Sequence, residues 1–441
     1  SASRCGRYSG SMQPRSSMTL SEKIIARASG RERVSPGEIV TCKVDLAMMH
    51  DSGGPRRVQP YLERLGAKIW DPSKVVIASD HFVPPPDVDS AEILALTRRF
   101  ARDHAIGAFY DMQGICHVVL QEHAHLVPGM FAVGGDSHSP SGGAVGAFMV
   151  GIGATEMAGA LVMGEIWVRV PQTWLIEWRG TLGPGLAAKD IMLFLCAQLG
   201  MSNDYKVMQY TGSAVSALSM MERLVLCNMS AELGAKTGII APDVKTLIAL
   251  REGGHPVGED ALAWRSDVDA VYERHCEFDA SVLAPQVAAP HSPANSAAVD
   301  VHTGVRIDQA YIGACTGAKL SDLRMAAQVL KGRKVANGVR LLIAPASTRT
   351  TREAAADGTL ATLVDSGAIL LPTGCGACAG YGTGVLASGE VCIASTARNF
   401  KGRMGSPGAL VYLASPYTVA ASAVRGTIGD PREFLAAKAV A

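Results

Sequence analysis

The sequence lacks the marks of a membrane protein, a secreted protein or a repeat protein. No apolar run in its 441 residues reaches the roughly 18 residues that cross a bilayer, and no segment recurs at a fixed period. Charged residues make up only 18% and the net charge is +1, so composition predicts neither a nucleic-acid partner nor a membrane partner. Because there is no secretory signal, we expect the ten cysteines to be reduced thiols in a cytoplasmic protein.

The first seventeen residues differ from the rest of the chain. They are rich in serine and basic, with Arg4, Arg7 and Arg15 and no acidic residue. This composition fits a tail, an upstream extension or an organellar presequence, and a presequence would place the protein in an organellar matrix. We expect the folded protein to begin near Met18, where Ser21 can cap a first helix.

The remaining sequence favours an α/β enzyme of several domains. Hydrophobic residues make up 48%, and short β-branched runs alternate with helical patterns from residue 39 onward, which predicts sheets covered by helices. We expect a first domain over residues 18–172, a second over 173–300 and a third over 301–441. A stretch at 284–298, rich in proline, alanine and serine, is interpreted as a linker. Among the predicted elements are a strand at 118–120 and one helix at 351–366.

Three cysteines stand in loops of small residues in the third domain. Cys375 and Cys378 form a C-x-x-C pair, and Cys315 lies about 60 residues upstream. A lone C-x-x-C also occurs in zinc ribbons and redox pairs, but zinc would need a second pair or nearby histidines, and a redox pair would leave Cys315 unexplained. Cys392 is close enough to be considered as a fourth ligand. Three thiolates indicate a metal cluster with one open coordination position.

Acidic and histidine residues collect beside predicted strands of the first domain. Any one of them is more often structural than catalytic, but the ends of neighbouring strands converge on one cleft, where a carboxylate can tune an imidazole as a proton donor. Glu232 has small, uncharged neighbours, which favour a poorly solvated carboxylate. The candidate catalytic residues are Asp80, His81, His117, Asp136, His138 and Glu232.

Two arginines near the carboxyl terminus are candidate substrate ligands. Arg398 and Arg403 flank a Phe-Lys-Gly segment that would by default be a solvated basic turn. A guanidinium group, however, binds a carboxylate through two parallel hydrogen bonds. A pair of them near a metal cluster would hold a dicarboxylate.

Together these residues resemble the aconitase family, in particular the large subunits of its two-subunit branch, 3-isopropylmalate dehydratase and homoaconitase. The likeness runs from Met18 to the end of the chain. Its specific parts, in family order, are Ser79-Asp80-His81, Gly114-Ile115-Cys116-His117, Gly135-Asp136-Ser137-His138, Cys227-Asn228-Met229-Ser230-Ala231-Glu232, Cys315-Thr316, Gly374-Cys375-Gly376-Ala377-Cys378 and Arg398-Asn399-Phe400-Lys401-Gly402-Arg403.

The resemblance implies three α/β/α domains around a central cleft, with an iron-sulfur cluster on the third. It implies a [4Fe-4S] cluster held by Cys315, Cys375 and Cys378, with the fourth iron open to substrate. The histidines and acids named above would move the proton to the leaving hydroxyl, and Ser137, Arg398 and Arg403 would bind substrate. The implied reaction is the reversible dehydration of a 2- or 3-hydroxy di- or tricarboxylic acid.

The resemblance also implies a partner subunit. In this family the carbon-bound proton is removed by a serine on a swivelling domain, and two-subunit members carry that domain on a separate small chain. The sequence ends at Ala441 before any such domain, so we expect a small swivel-domain subunit that supplies the serine.

Two positions depart from the family pattern and leave the substrate open. Gly317 and Ala397 stand where the family usually has asparagine, beside the predicted cluster. The substrate is therefore expected to be 3-isopropylmalate or another substituted malate. Two further hypotheses are a non-catalytic aconitase-like binding or sensor protein and a zinc- or thiol-stabilised scaffold.

Overall fold

The computed structural model describes residues 3–7 and 17–435, and these residues form four sheets covered by helices. The strands are β1 Ser3–Arg7, β2 Ile39–Lys43, β3 Leu46–His50, β4 Val75–Ser79, β5 Ala108–Asp111, β6 Phe131–Gly134, β7 Phe148–Gly151, β8 Glu165–Arg169, β9 Gln172–Arg179, β10 Lys206–Thr211, β11 Thr237–Ile239, β12 Arg274–Asp279, β13 Gln286–Ala288, β14 Ser296–Ala298, β15 Gln309–Ile312, β16 Arg340–Ile343, β17 Ile369–Leu370, β18 Val391–Ala394 and β19 Leu410–Ala414.

The helices alternate with these strands through most of the chain. They are α1 Leu20–Ser29, α2 Pro55–Leu65, α3 Val88–Asp103, α4 Cys116–Glu122, α5 Ala154–Met163, α6 Ala188–Leu199, α7 Ser213–Ala217, α8 Met220–Asn228, α9 Val244–Glu252, α10 Leu320–Leu330, α11 Thr348–Ala356, α12 Thr359–Asp365, α13 Pro416–Arg425 and α14 Arg432–Leu435. The predicted α/β class is confirmed. Within the described ranges, no helix is both long and apolar enough to cross a membrane.

The first sheet has the strand order β5-β4-β3-β6-β7, and all its pairs are parallel. Parallel strands are covered on both faces, which is why every residue of β3 and β4 is buried. Because the strands run the same way, their carboxyl ends lie along one edge, where open α/β sheets place their sites. Strands β2 and β8 form a separate antiparallel pair.

The second sheet, β1-β12-β9-β10-β11, reaches into the region predicted to be a tail. Strand β1 pairs antiparallel with β12, and Cys5 is joined to Cys276 by a disulfide. The expectations that folding begins near Met18 and that all ten cysteines are reduced are therefore wrong for this segment. The backbone N–H and C=O groups along the outer side of an edge strand are unpaired. A segment such as β1 can therefore pair with β12 even when its own sequence shows no strand pattern.

The third sheet has the order β14-β13-β19-β18-β15-β16-β17. Residues 284–298, predicted to be a linker, contribute β13 and β14, and β13 pairs antiparallel with β19. The linker interpretation is wrong because strands of three residues are too short to show an alternating pattern.

Two predicted elements differ in kind or length. Residues 118–120, predicted as a strand, lie inside helix α4, so His117 is held by a helix. The predicted helix at 351–366 is two helices, α11 and α12, because Gly358 adopts a left-handed conformation with φ +83° between them.

Candidate active site

The three predicted cysteine ligands lie in loops after two strands of the third sheet. Cys315 follows β15 and is 6% exposed, whereas Cys375 and Cys378 follow β17 and are half-buried. All three are free thiols, and each is near enough to another of them for their charges to interact. The structure therefore brings the distant thiol to the C-x-x-C pair.

The loop before the C-x-x-C pair packs directly on the first sheet. Gly374 has φ +146°, and a Cβ atom there would lie 2.8 Å from the Asp80 carbonyl oxygen. The next backbone N–H, that of Cys375, donates to the same oxygen at 2.8 Å. Glycine is required at 374 because both the backbone conformation and the close approach exclude a side chain.

The surroundings of the thiols fit a group that binds thiolates. Burial, together with the neighbouring Cys378, raises the pKa of Cys315 to about 12. Burial also raises the pKa of Cys378, but the positive charges of Arg403, Lys189 and Arg398 oppose that rise. Three thiols that ionise poorly by themselves, beside several cations, suit the soft thiolate chemistry of an iron-sulfur cluster.

An asparagine side chain touches this donor set. Nδ2 of Asn228 donates to the Cys315 sulfur at 3.2 Å, while the buried Oδ1 has no hydrogen-bond partner in the described part of the chain. Hydrogen bonds to sulfur ligands tune metal clusters, so Asn228 belongs to the site although its role was not predicted.

Asp80 and His81 form the first acid-histidine pair, at the carboxyl end of β4. The His81 Nδ1 atom lies 2.6 Å from Asp80 Oδ1, and Asp80 Oδ2 accepts the Cys116 backbone N–H at 2.8 Å. Burial would lower the pKa of His81, but the charge of Asp80 raises it to about 9. His81 is therefore an imidazolium at neutral pH.

His50 and Asp51, at the carboxyl end of β3, complete this part of the site. The Asp51 carboxylate accepts the backbone N–H groups of Asp80, His81 and Phe82, and the closest of these hydrogen bonds measures 2.9 Å. The rings of His50 and His81 are stacked 4.1 Å apart. Sequence analysis missed both residues, although they stand at the carboxyl end of a β-strand, as Asp80 and His81 do.

Asp136, after β6, is the acceptor for two histidine rings and for the backbone N–H of His138. Its Oδ1 lies 2.8 Å from His117 Nε2, and its Oδ2 lies 3.3 Å from His50 Nε2. Burial would raise the pKa of Asp136, but these histidines hold it well below its ordinary value. An ionised Asp136 thus fixes both rings, and the buried Nδ1 of His117 has no hydrogen-bond partner among the described residues.

Glu232 connects the second and third sheets to the first. Its Oε1 lies 2.8 Å from His138 Nε2 and accepts Arg398 Nε at 2.7 Å, while its buried Oε2 has no hydrogen-bond partner in residues 3–7 or 17–435. Burial would raise the pKa of Glu232, but the charges of His138 and Arg398 lower it to about 2. Burial lowers the pKa of His138, and Arg398 adds to this effect against the opposing charge of Glu232.

A cavity of about 440 Å³ opens beside these residues. Asp136, Ser137, Arg398 and residues 234–236 contribute to its walls, and Ser137 is exposed. Arg398 uses Nε for Glu232, so its two terminal amino groups stay available to a ligand. Arg403 is not among the residues that line this cavity. Its Nε donates to the Cys378 carbonyl oxygen at 2.8 Å.

The two departures from the family pattern have different surroundings. A Cβ atom at Gly317 would overlap the side chain and the carbonyl of Ser395, so the space beside the loop is already filled. Ala397 is 2% exposed and packs in a hydrophobic core cluster. Close packing excludes a side chain at 317.

The family model described as "Aconitase family (aconitate hydratase)" matches residues 22–303 and 300–426. The chain belongs to the aconitase family. It is 44% identical over 420 residues to the 3-isopropylmalate dehydratase large subunit 1 of Methanopyrus kandleri, which covers 95% of this chain and 99% of the relative. It is 41% identical over 422 residues to the probable methanogen homoaconitase large subunit of Methanothermobacter thermautotrophicus, covering 94% and 98%.

These relatives confirm the predicted family and, with it, a hydro-lyase. Aconitase-family proteins are known for iron-sulfur clusters, and buried free cysteines are present here. A third relative, the probable 3-isopropylmalate dehydratase large subunit of Methanothermobacter thermautotrophicus, is 43% identical over 417 residues, with 94% and 99% covered. The chain is 41–44% identical both to relatives named 3-isopropylmalate dehydratase and to one named homoaconitase, so sequence identity does not choose between these two activities.

Proposed function

We propose that this chain is the large subunit of an iron-sulfur hydro-lyase that reversibly dehydrates a substituted malate such as 3-isopropylmalate. A separate small subunit completes the enzyme, in keeping with the "large subunit" names of the relatives. One observation carries the proposal: the Glu232 carboxylate joins His138 to Arg398, and Arg398 both lines the cavity and lies near enough to the Cys378 thiol for their charges to interact.

Cys315, Cys375 and Cys378 would hold a [4Fe-4S] cluster with one open iron. When bound, such a cluster supplies a Lewis acid that weakens the carbon-oxygen bond of the departing hydroxyl. Asn228 donates to the Cys315 sulfur and would keep that ligand oriented.

His81 is the proposed acid for the leaving hydroxyl. It carries a proton at neutral pH, and Asp80 fixes the Nδ1 side of the ring, which leaves the proton on Nε2 for donation. The hydroxyl takes this proton and leaves as water, while the electrons of the broken C–H bond form the C=C bond. A serine on the small subunit is the proposed base for the carbon-bound proton.

Asp136, His117, His138 and Glu232 would maintain the polar wall of the cavity and shuttle the proton back to His81. Ionised Asp136 and Glu232 orient the histidine rings through the contacts of 2.8 Å, so that the wall needs little reorganisation during the reaction. The free Oε2 of Glu232 is an additional acceptor for a substrate hydroxyl or water.

Substrate carboxylates would bind to Arg398 and Ser137 in the cavity and to Arg403 beside the cysteines. Arg398 is held in place by Glu232, and Arg403 by the Cys378 carbonyl, and both bonds use only Nε. The planar fork of each guanidinium is thus pre-oriented with its terminal amino groups free, which suits bidentate binding of a carboxylate.

Anaerobic reconstitution tests this proposal. The chain is co-expressed with a small subunit of a related dehydratase, loaded with iron and sulfide, and supplied with 3-isopropylmalate and other substituted malates and maleates. We expect turnover, followed by the ultraviolet absorbance of the alkene product, only when both subunits and the cluster are present. A loaded two-subunit preparation that converts none of these compounds would contradict the proposal, as would full turnover by the large subunit alone.

A further inference from the structure

A buried lysine lies behind the cysteine loops and outside the set of residues predicted from sequence. Lys189, the second residue of α6, is 1% exposed. Its Nζ donates to Thr316 Oγ1 at 2.9 Å and to the Thr396 carbonyl oxygen at 2.7 Å. One ammonium group therefore ties the loop of Cys315 to the loop of Arg398.

The charge of this ammonium is not neutralised at close range. Among the described residues, no carboxylate lies within ion-pair distance of Lys189, and both of its oxygen acceptors are uncharged. Burial lowers the pKa of Lys189 to about 8, so the group is still mostly protonated at neutral pH. Burying an uncompensated charge costs several kcal/mol, so a fold that contains one needs a nearby negative charge.

A second buried lysine beside the same loop shows the contrast. Lys319 donates to the Cys315 carbonyl oxygen at 2.9 Å, and it forms an ion pair with Asp322, which is also buried. Its positive charge is therefore cancelled locally, whereas that of Lys189 is not. The groups of opposite charge that interact with Lys189 are Glu232, Cys315 when ionised, and Asp322, and the effect of Asp322 is opposed by that of its own partner Lys319.

We propose that Lys189 is a positioning residue of the active site that supplies the positive charge compensating a thiolate-bound cluster. This inference rests on the proposed function, since the compensated charge is that of the cluster and its thiolates. The two hydrogen bonds fix the loops, and the ammonium offsets the negative charge that the loops gather when Cys315, Cys375 and Cys378 bind as thiolates.

The proposal predicts an electrochemical effect that a merely structural lysine would not have. Reduction adds an electron to the cluster, and a fixed cation nearby stabilises the reduced form more than the oxidised form. Removing the charge must therefore lower the midpoint potential of the cluster. Loss of packing alone would lower the unfolding temperature of the cluster-free protein without this directional shift.

Two substitutions separate the charge from the hydrogen bonds. Lys189→Met removes both, while Lys189→Gln removes the charge and keeps a neutral donor. The matched control is the double variant Lys319→Gln with Asp322→Asn, which removes a neutral ion pair from the same loop. Each full-length chain is reconstituted anaerobically with its small subunit. Iron and sulfide content, the electron paramagnetic resonance spectrum, the midpoint potential and the thermal unfolding of the cluster-free protein are measured.

We expect both Lys189 variants to show a lower midpoint potential than wild type, and the control to keep the wild-type value. Lower iron and sulfide content in the Lys189 variants, with wild-type unfolding temperatures and a fully loaded control, would also support the proposal. If Lys189→Met does not fold, the midpoint potential of the Lys189→Gln variant tests the proposal.

A wild-type potential in a fully loaded Lys189→Gln variant would overturn the inference, as would equal loss of cluster in the variants and the control. A wild-type protein that takes up no iron and sulfide would instead contradict the proposed function, so the two failures are distinguishable.

Discussion

Replacing Asp80 by asparagine tests whether the imidazolium of His81 is the acid of the reaction. The aspartate lies 2.6 Å from His81 Nδ1, and its charge is the largest influence that raises the pKa of this histidine from 6.5 to about 9. Asparagine keeps an oxygen for the Cys116 N–H, and the backbone carbonyl still accepts the N–H of Cys375. The substitution therefore removes charge and leaves most of the local hydrogen bonds in place.

The expected size of the effect follows from the pKa of His81. Asp51 also raises this pKa, so without the Asp80 charge we expect the pKa of His81 to fall from about 9 to about 7, a little above the ordinary value of a histidine. At pH 8 the protonated fraction then drops from about 0.9 to about 0.1, whereas at pH 6 it changes by only about a tenth. The alkaline limb of the kcat/KM profile should move from near pH 9 to near pH 7.

The assay is the pH dependence of kcat/KM for the loaded two-subunit enzyme, because this profile reports the free enzyme. Asp103→Asn is the control, since the Asp103 side chain is 58% exposed on the first domain. It should leave the profile unchanged. An alkaline limb that stays near pH 9 in a correctly folded Asp80→Asn enzyme would refute the assignment of His81 as the acid set by Asp80.

Three further substitutions probe the ligands, the carboxylate site and the packing. Cys378→Ser should abolish iron and sulfide binding and the associated visible absorbance, because it removes a thiolate that serine does not replace. Arg398→Lys should raise KM by about 10- to 100-fold with a smaller change in kcat, since it loses the Nε bond to Glu232, a charge-assisted bond of about 1.5–3 kcal/mol. Gly317→Ala should lower the free energy of unfolding of the cluster-free chain by about 1–3 kcal/mol in urea titrations, because the new methyl group overlaps Ser395.

Each of these substitutions has a matched control. Cys392→Ser should keep the cluster, since the charges nearest this thiol belong to Arg340 and Glu390; a cluster that needs Cys392 and not Cys378 would contradict the ligand assignment. Arg179→Lys, at an exposed guanidinium, should leave KM unchanged, and an equal effect at both arginines would argue against a specific role for Arg398. Adding Ser395→Gly should restore part of the stability lost in Gly317→Ala, and no recovery would contradict the packing explanation.

The local sequence was sufficient to predict those parts of the site whose signal lies within a few residues. The glycine-rich loops around Cys315 and Cys375 and the acid-histidine pairs after β4 and β6 are recognisable because small residues and strand ends are local properties. The same signal stands at the carboxyl end of β3 in His50 and Asp51, so this pair could have been predicted from the sequence and was overlooked.

The contacts that organise the site were decided by the tertiary structure. Glu232 meets a histidine 94 positions before it and an arginine 166 positions after it, and no local pattern encodes such a meeting. Strands β1, β13 and β14 exist because an edge strand accepts them, which periodicity in such short segments does not reveal. In the sequence, Lys189 is an ordinary second residue of a helix. Its charge lies beside the site only because two loops that are distant in sequence pack around its ammonium group. The sequence by itself determined which residues can do chemistry. The tertiary structure decided which of them are buried together and interact through their charges, because desolvation and charge interactions depend on distances in space.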